Sequence, residues 1–301
     1  MKLNLDKVKE SGQIDFLARQ LVDGFITGLH KSPYHGFSVE FAEHHLYNSG
    51  ESTRHIDWKV YAKTDRLYTK RFEEETNLRC QVVIDNSSSM HYPVKSKGKL
   101  RFSILCAAAL SYLLQKQRDA VGVTTFSDRI ETSTPISSTS SHLRKLVTLF
   151  EQLFTENTPQ KSTNVPNILH EVAEKNHKRS LIIIFSDMFD NPDQLDDIFK
   201  GLQHLKHNKH EVLLFHVTDK NTEYSFDFED RPYEFIDLES GEKIKLQPNQ
   251  VKEHYTTNVQ NYYHELKLRC GQLKIDFIEA DISSDYNEVL NAYLIKRTKM
   301  R

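Results

Sequence analysis

Residues 82–90 read Val82-Val83-Ile84-Asp85-Asn86-Ser87-Ser88-Ser89-Met90. The apolar run up to Ile84 ends in an acid, and hydroxyl side chains follow that acid at alternate positions. This pattern predicts a buried strand whose C-terminal end opens into a metal-binding loop. Just past a strand end, alternate residues can turn their side chains toward one point above the sheet edge. An acid and two hydroxyls at that point suit a hard cation such as Mg²⁺, which takes oxygen ligands and keeps some of its waters. Taken alone, Asp85-x-Ser87-x-Ser89 is weak, because serine-rich loops are common. Two further stretches supply matching groups. Ser162-Thr163-Asn164 precedes a helical pattern beginning at Val165, and could equally be a helix N-cap. Asp187 follows the apolar run Leu181 to Ser186, and could equally be a strand-ending turn acid. Asp85 and Asp187 together fall at the C-terminal ends of two expected parallel strands, where open α/β sheets place their ligand sites.

From residue 79 onward the pattern alternates strand and helix. Strands are expected at Arg79 to Asp85, Ala120 to Phe126, Ser180 to Ser186, Glu211 to Val217 and Leu273 to Ile278, with a short edge strand at Arg129 to Pro135. Helices are expected at Leu100 to Gln117, Ser141 to Phe154 with Ser140 or Ser141 as N-cap, Val165 to Lys175, Pro192 to His207, Gln250 to Cys270 and Tyr286 to Arg297. Such alternation implies an α/β fold with a doubly wound, mostly parallel sheet. A hairpin-like excursion with its turn at Glu239-Ser240-Gly241-Glu242 interrupts it at about 222–247.

The first part of the chain differs. Gln13 to Leu29 places Ile14, Leu17, Leu21, Phe25 and Leu29 at helical spacing, with Asp15, Arg19 and Asp23 on the polar face. That mixed face favours docking on the domain over a membrane surface, which would select basic residues. Between residues 34 and 78 the segments Phe37 to Phe41, Glu51 to Trp58 and Arg66 to Phe72 read as extended, with polar turns at Asn48-Ser49-Gly50 and Lys63-Thr64-Asp65. The expected organisation is therefore an N-terminal helix in 1–33, a smaller β-rich attachment in 34–78, and an α/β domain in 79–301. His44, His45 and His55 lack partners at ligand spacing and read as surface and turn histidines.

Composition narrows the function. Lys+Arg 40 against Asp+Glu 42 gives a net charge of -2, so the basic excess of a dedicated nucleic-acid binder is missing. Cys80, Cys106 and Cys270 are scattered, which points to inert thiols in a reducing compartment rather than to zinc or disulfides. The most apolar stretch, Ile104 to Leu114, is too short to span a bilayer. A cytoplasmic protein is expected, at a membrane only through a partner.

Asp85-x-Ser87-x-Ser89, then Thr163, then Asp187, in that order, resembles the metal-ion-dependent adhesion site of von Willebrand factor A domains, a Rossmann-type fold. Val121-Gly122-Val123-x-x-Phe126 resembles that fold's second core strand. Upstream, Gly36-Phe37-Ser38-Val39-Glu40-Phe41, Tyr47-Asn48-Ser49-Gly50-Glu51, Arg54-His55-Ile56-Asp57-Trp58-Lys59 and Lys70-Arg71-Phe72-Glu73-Glu74-Glu75 resemble a bacterial family, domain of unknown function number 58, often encoded beside MoxR-type AAA+ ATPases. Glu51 stands where members often carry Asp. The resemblance implies that Ser87, Ser89 and Thr163 give hydroxyls to Mg²⁺ or Mn²⁺, and that Asp85 and Asp187 bind it directly or through water. Neutral hydroxyls leave such an ion electrophilic, so a partner's carboxylate can complete its shell. The implied function is a metal-dependent protein-interaction module, with a MoxR-type AAA+ ATPase as the expected partner. The alternative is a metal-dependent hydrolase at the same site, for which His91 is the only nearby base in sequence. A serine hydrolase is disfavoured because Ser87, Ser88 and Ser89 lack the glycines of a nucleophile elbow. Arg54-x-Ile56-Asp57-Trp58 reads as a packed Trp58 with Arg54 paired to Asp57.

Overall fold

A computed structural model describes residues 13–29, 44–46, 58–70, 78–94, 96, 98–155, 162–188 and 195–299. The chain divides into two compact units, one of residues 27–77 and the other of 1–26 with 78–301. Helix α1 (Gln13–Leu29) carries the amphipathic pattern read from the sequence. Its apolar face buries Ile14, Leu17, Leu21, Val22 and Phe25.

In the smaller unit the described residues form strand β1 (His44–Leu46), helix α2 (Trp58–Thr64) and strand β2 (Tyr68–Lys70), with β1 and β2 antiparallel. Two expectations are corrected here. The polar triplet Lys63-Thr64-Asp65 ends a helix rather than joining two strands: Asp65 adopts φ 55 and its N–H bonds the Tyr61 carbonyl. Trp58 is 63% exposed, touching Tyr61 edge to face, rather than packed. The segments expected at Phe37 to Phe41 and Glu51 to Asp57, and the Arg54–Asp57 pair, lie outside the described residues.

The larger unit continues with β3 (Arg79–Asp85), α3 (Gly98–Lys116), β4 (Ala120–Phe126), β5 (Ile130–Ser133), α4 (Ser140–Thr155), α5 (Val165–Lys175), β6 (Leu181–Ser186), α6 (Leu195–His207) and β7 (Glu211–Thr218). The excursion follows as hairpin β8 (Tyr233–Ile236) and β9 (Lys243–Leu246), then α7 (Pro248–Gln272), β10 (Asp276–Asp281) and α8 (Asn287–Lys299). Six strands form one sheet in the order β10-β7-β6-β3-β4-β5, parallel except for the antiparallel edge strand β5. This is the doubly wound order that the strand–helix alternation implies.

Burial explains the composition of the strands. Every residue of β6 is buried, as are six of seven in β3, so both are apolar with little alternation. Each fully buried Val, Leu or Ile contributes roughly 1.5–3 kcal/mol. On one face, α5, α6 and the end of α7 pack Ile168, Leu169, Ile198, Leu202, Leu266 and Cys270 against Val83, Ile184 and Leu214. Gly201 permits the close approach of α6 to α5, since a Cβ there would sit 2.7 Å from Leu169 Cβ.

Two boundaries differ from expectation. The last strand is Asp276–Asp281, not Leu273 to Ile278, because the chain must first leave α7: Lys274 takes φ 55 and Ile275 N–H bonds back to the Cys270 carbonyl. Helix α4 is capped by Thr139, whose hydroxyl accepts from His142 N–H at 3.3 Å, rather than by Ser140 or Ser141.

Candidate metal centre

β3 and β6 are neighbours at the switch point of the sheet, where the strands on either side are connected in opposite directions. Their C-terminal ends carry Asp85 and Asp187. The loop after β3 folds back at once. Asp85 Oδ1 accepts from Ser87 N–H at 2.9 Å, and a single 3₁₀ turn follows over Ser88–His91. That turn brings the hydroxyls of Ser87 and Ser89 to 3.0 Å from each other. Asp85 Oδ2 accepts from the Ser186 hydroxyl at 2.7 Å, which ties the two strand ends together.

Thr163 reaches the rim from the segment before α5. Asn164 N–H bonds the Ser127 carbonyl at 3.3 Å, anchoring this segment to the loop after β4. Asn164, not Thr163, caps α5, through its side chain on Asn167 N–H. Thr163 is therefore not consumed by the N-cap role that the sequence left open. Its Oγ1 is buried and has no hydrogen-bond partner among the described residues. An unsatisfied buried hydroxyl costs about 1–3 kcal/mol.

Three charged side chains beside these residues were not anticipated. Lys99, in the first turn of α3, is 1% exposed. Its ammonium lies 2.9 Å from Asp187 Oδ2 and 2.6 Å from Glu223 Oε1. Glu223 comes from a single wide π turn over Lys220–Tyr224, and its other oxygen accepts from Asp219 N–H at 2.8 Å. Glu239 comes from the β8–β9 turn, and its Oε2 accepts from Thr163 N–H at 3.2 Å. The helix was expected to begin only at Leu100, one residue after Lys99. Its spacing of four from buried Ser103 was the available signal. Glu223 and Glu239 lie in the excursion, where the sequence offers no signal linking them to the sheet.

The electrostatics of the two strand ends differ. Burial, then the neighbouring Asp187 carboxylate, pushes the Asp85 pKa up to about 7. Burial, then Asp187, also raises Glu239 to about 7, with Asp85 adding to the effect. Burial works against the Lys99 ammonium, but Asp187 and then Glu223 outweigh it and hold the charge. Burial holds His216, beneath Asp187, down to about 4, so it is neutral. Among the described residues the rim is thus rich in oxygen, with the Lys99 ammonium paired to Asp187.

A hard cation fits this donor set. Ser87, Ser89 and Thr163 offer hydroxyls, Asp85 and Asp187 offer carboxylates, and the orphaned Thr163 Oγ1 is the clearest unmet demand. Among the described residues no three His, Cys, Asp or Glu side chains are gathered as a ready cluster. A cation here would rest on hydroxyls as much as on carboxylates, which matches Mg²⁺ or Mn²⁺ better than a soft metal.

Residues 43–265 match the model of a family described as "Protein of unknown function DUF58". The chain belongs to the DUF58 family. This DUF58 chain is also 27% identical over 100 residues to the uncharacterized proteins Mb1516 of Mycobacterium bovis and Rv1480 of Mycobacterium tuberculosis. Those matches cover 33% of the chain and 32% of each relative, so the chain spans about a third of their length. Among solved structures it resembles BatB from Bacteroides thetaiotaomicron, with TM-score 0.43 and 13% identity over 74% of this chain and 98% of that one. It resembles an aerotolerance-related membrane protein from Bacteroides fragilis with TM-score 0.45 and 14% identity, over 74% and 99%. Among the described residues no helix is long and apolar enough to cross a membrane.

Proposed function

We propose that this DUF58 chain is a metal-ion-dependent protein-interaction module. Asp85, Ser87, Ser89, Thr163 and Asp187 would hold Mg²⁺ or Mn²⁺, and an acidic residue of a protein partner would complete the ion's shell. The partner we propose is a MoxR-type AAA+ ATPase, met in the cytoplasm. The observation that carries the reading is Thr163 Oγ1, buried and without a partner on a rim already lined by two carboxylates and two hydroxyls. The ion would supply an electrophilic position that the serine hydroxyls alone cannot. The chain's own residues do the remaining work. Ser186 fixes the Asp85 carboxylate, and Lys99 fixes Asp187 while removing part of its charge. With Asp187 partly neutralised and three ligands uncharged, the bound ion retains attraction for an outside acid.

The test is capture of a purified MoxR-type ATPase with Mg²⁺, with chelator, and with variants. Binding by the wild type should require Mg²⁺ and vanish in Asp85→Ala. Thr163→Val, which swaps the orphaned hydroxyl for a methyl of the same shape, should leave the apoprotein as stable or up to about 1–3 kcal/mol more stable and still weaken capture. Capture that survives both chelator and Asp85→Ala contradicts the proposal.

A further inference from the structure

The edge strand β5 is irregular at one residue. Thr124 pairs with Ser133 and Thr125 with Thr132, but Phe126 pairs with Ile130, so Glu131 is an extra residue in the ladder, a β-bulge. The turn before it is tight, with Ser127 N–H on the Arg129 carbonyl at 3.0 Å. A bulge bends its strand and re-aims a side chain, and here the side chain crosses to the loops at the rim. Glu131 Oε2 accepts from Asn86 Nδ2 at 2.8 Å, and Oε1 accepts from the Ser127 hydroxyl at 2.9 Å. Asn86 lies between Asp85 and Ser87 in the loop after β3, and its N–H also bonds the Phe126 carbonyl at 2.7 Å. Ser127 opens the loop after β4, and its carbonyl anchors Asn164, the neighbour of Thr163. Asn86 and Ser127 are buried, whereas Glu131 reaches the surface. One carboxylate therefore joins the loop that carries Ser87 and Ser89 to the loop that holds the Thr163 segment. The Ser127 hydroxyl has a second acceptor, Asp128 Oδ1 at 3.1 Å, but that bond stays within one loop.

Resting on the metal-site reading above, we propose that Glu131 is the positioning residue of this centre: by holding the two loops together it fixes the gap between the Ser87 and Ser89 hydroxyls and Thr163, and thereby favours a small divalent ion over a large one. In this role Glu131 acts through Asn86 and Ser127 rather than on the ion itself. Mg²⁺ demands near-octahedral geometry at about 2.0–2.1 Å, and Mn²⁺ shares its preference for octahedral oxygen. Ca²⁺ accepts roughly 2.3–2.6 Å and an irregular shell. Selectivity between them follows from the size and flexibility of the site. A rim whose loops are tied together discriminates, and one whose loops are loosened does not. Outer partners that orient metal ligands carry about ten- to hundredfold in affinity.

The test uses Mn²⁺ and Ca²⁺ as probes. Free Mn²⁺ is followed by electron paramagnetic resonance and Ca²⁺ by its competition with Mn²⁺, in wild type, Glu131→Ala and Glu131→Gln. Melting in chelator reports the metal-free fold of each. The wild type should bind one Mn²⁺ and prefer it to Ca²⁺. Glu131→Ala should bind Mn²⁺ about tenfold more weakly. Its Ca²⁺ affinity should change by less than about threefold, so the preference narrows. Glu131→Gln, which keeps one acceptor oxygen and replaces the other with a donor, should fall between them. Should Glu131→Ala not melt cooperatively in chelator, Glu131→Gln alone decides the matter. Equal Mn²⁺ affinity in wild type and variants overturns the role of Glu131 and leaves the metal centre standing. An equal loss for both ions does the same, since it marks a merely structural residue. If the wild type binds no Mn²⁺, both are overturned.

Discussion

The loops after β3 and β6 end neighbouring strands, and each offers a buried aspartate to one rim. Their surroundings are opposite. Asp187 faces the ammonium of Lys99, buried with it and shared with Glu223. Among the described residues, Asp85 accepts from dipoles, the N–H of Ser87 and the hydroxyl of Ser186. One strand end therefore carries its counter-charge in the fold, while the other is short of one. The difference separates a carboxylate paired within the fold from one that, on the proposal above, would take a cation from outside.

The largest effect should follow from breaking the self-sufficient end. Lys99→Ala leaves Asp187 and Glu223 facing each other without their shared cation, and removing one partner of a buried ion pair costs about 3–5 kcal/mol. Urea unfolding would measure it, and a loss below about 1 kcal/mol would mean that the pair is solvated rather than buried.

Next comes a contrast between two matched substitutions. Asp187→Asn keeps the shape but removes the charge opposite Lys99, and should destabilise by about 1.5–3 kcal/mol, the scale of a charge-assisted hydrogen bond. Asp85→Asn should stay within about 1 kcal/mol of wild type in the absence of metal, because it relieves repulsion from Asp187 while disturbing one acceptor. Equal losses in the two variants would erase the distinction between the strand ends.

A smaller effect is its dependence on pH. Asp85 and Glu239 have folded-state pKa values raised to about 7, from ordinary values of 3.8 and 4.5. Between those limits the folded state holds protons that the unfolded chain has released, so the metal-free protein loses stability as pH rises through that window. A divalent ion displaces those protons, so the gain in melting temperature on adding Mg²⁺ should grow as pH climbs through about 7. A gain that is flat across that range would separate the ion from Asp85 and Glu239.

The same contrast marks what the sequence could tell. The apolar runs of β3 and β6 and the acids that end them are local patterns, so the sheet and the strand ends that carry Asp85 and Asp187 were legible; that Ser87, Ser89 and Thr163 join them around an ion belongs to the proposal. The charges that complete the rim were not legible. Lys99 sits one residue before the expected helix and is met in its burial by carboxylates 88 and 124 positions away. Glu223 and Glu239 arrive from an excursion whose local pattern records a hairpin and nothing about its target. The displaced last strand has the same origin: a left-handed turn at Lys274 is a backbone event without a strong residue signal. Local periodicity specifies elements, whereas long-range charge pairing is settled only when the elements pack.

The most direct measurement is anomalous diffraction from crystals grown with Mn²⁺. A single manganese peak within coordination distance of the Ser87, Ser89 and Thr163 hydroxyls, on the rim between Asp85 and Asp187, is the expected result. Saturating Mn²⁺ with no peak there, or a peak held only by surface carboxylates elsewhere, would contradict the account.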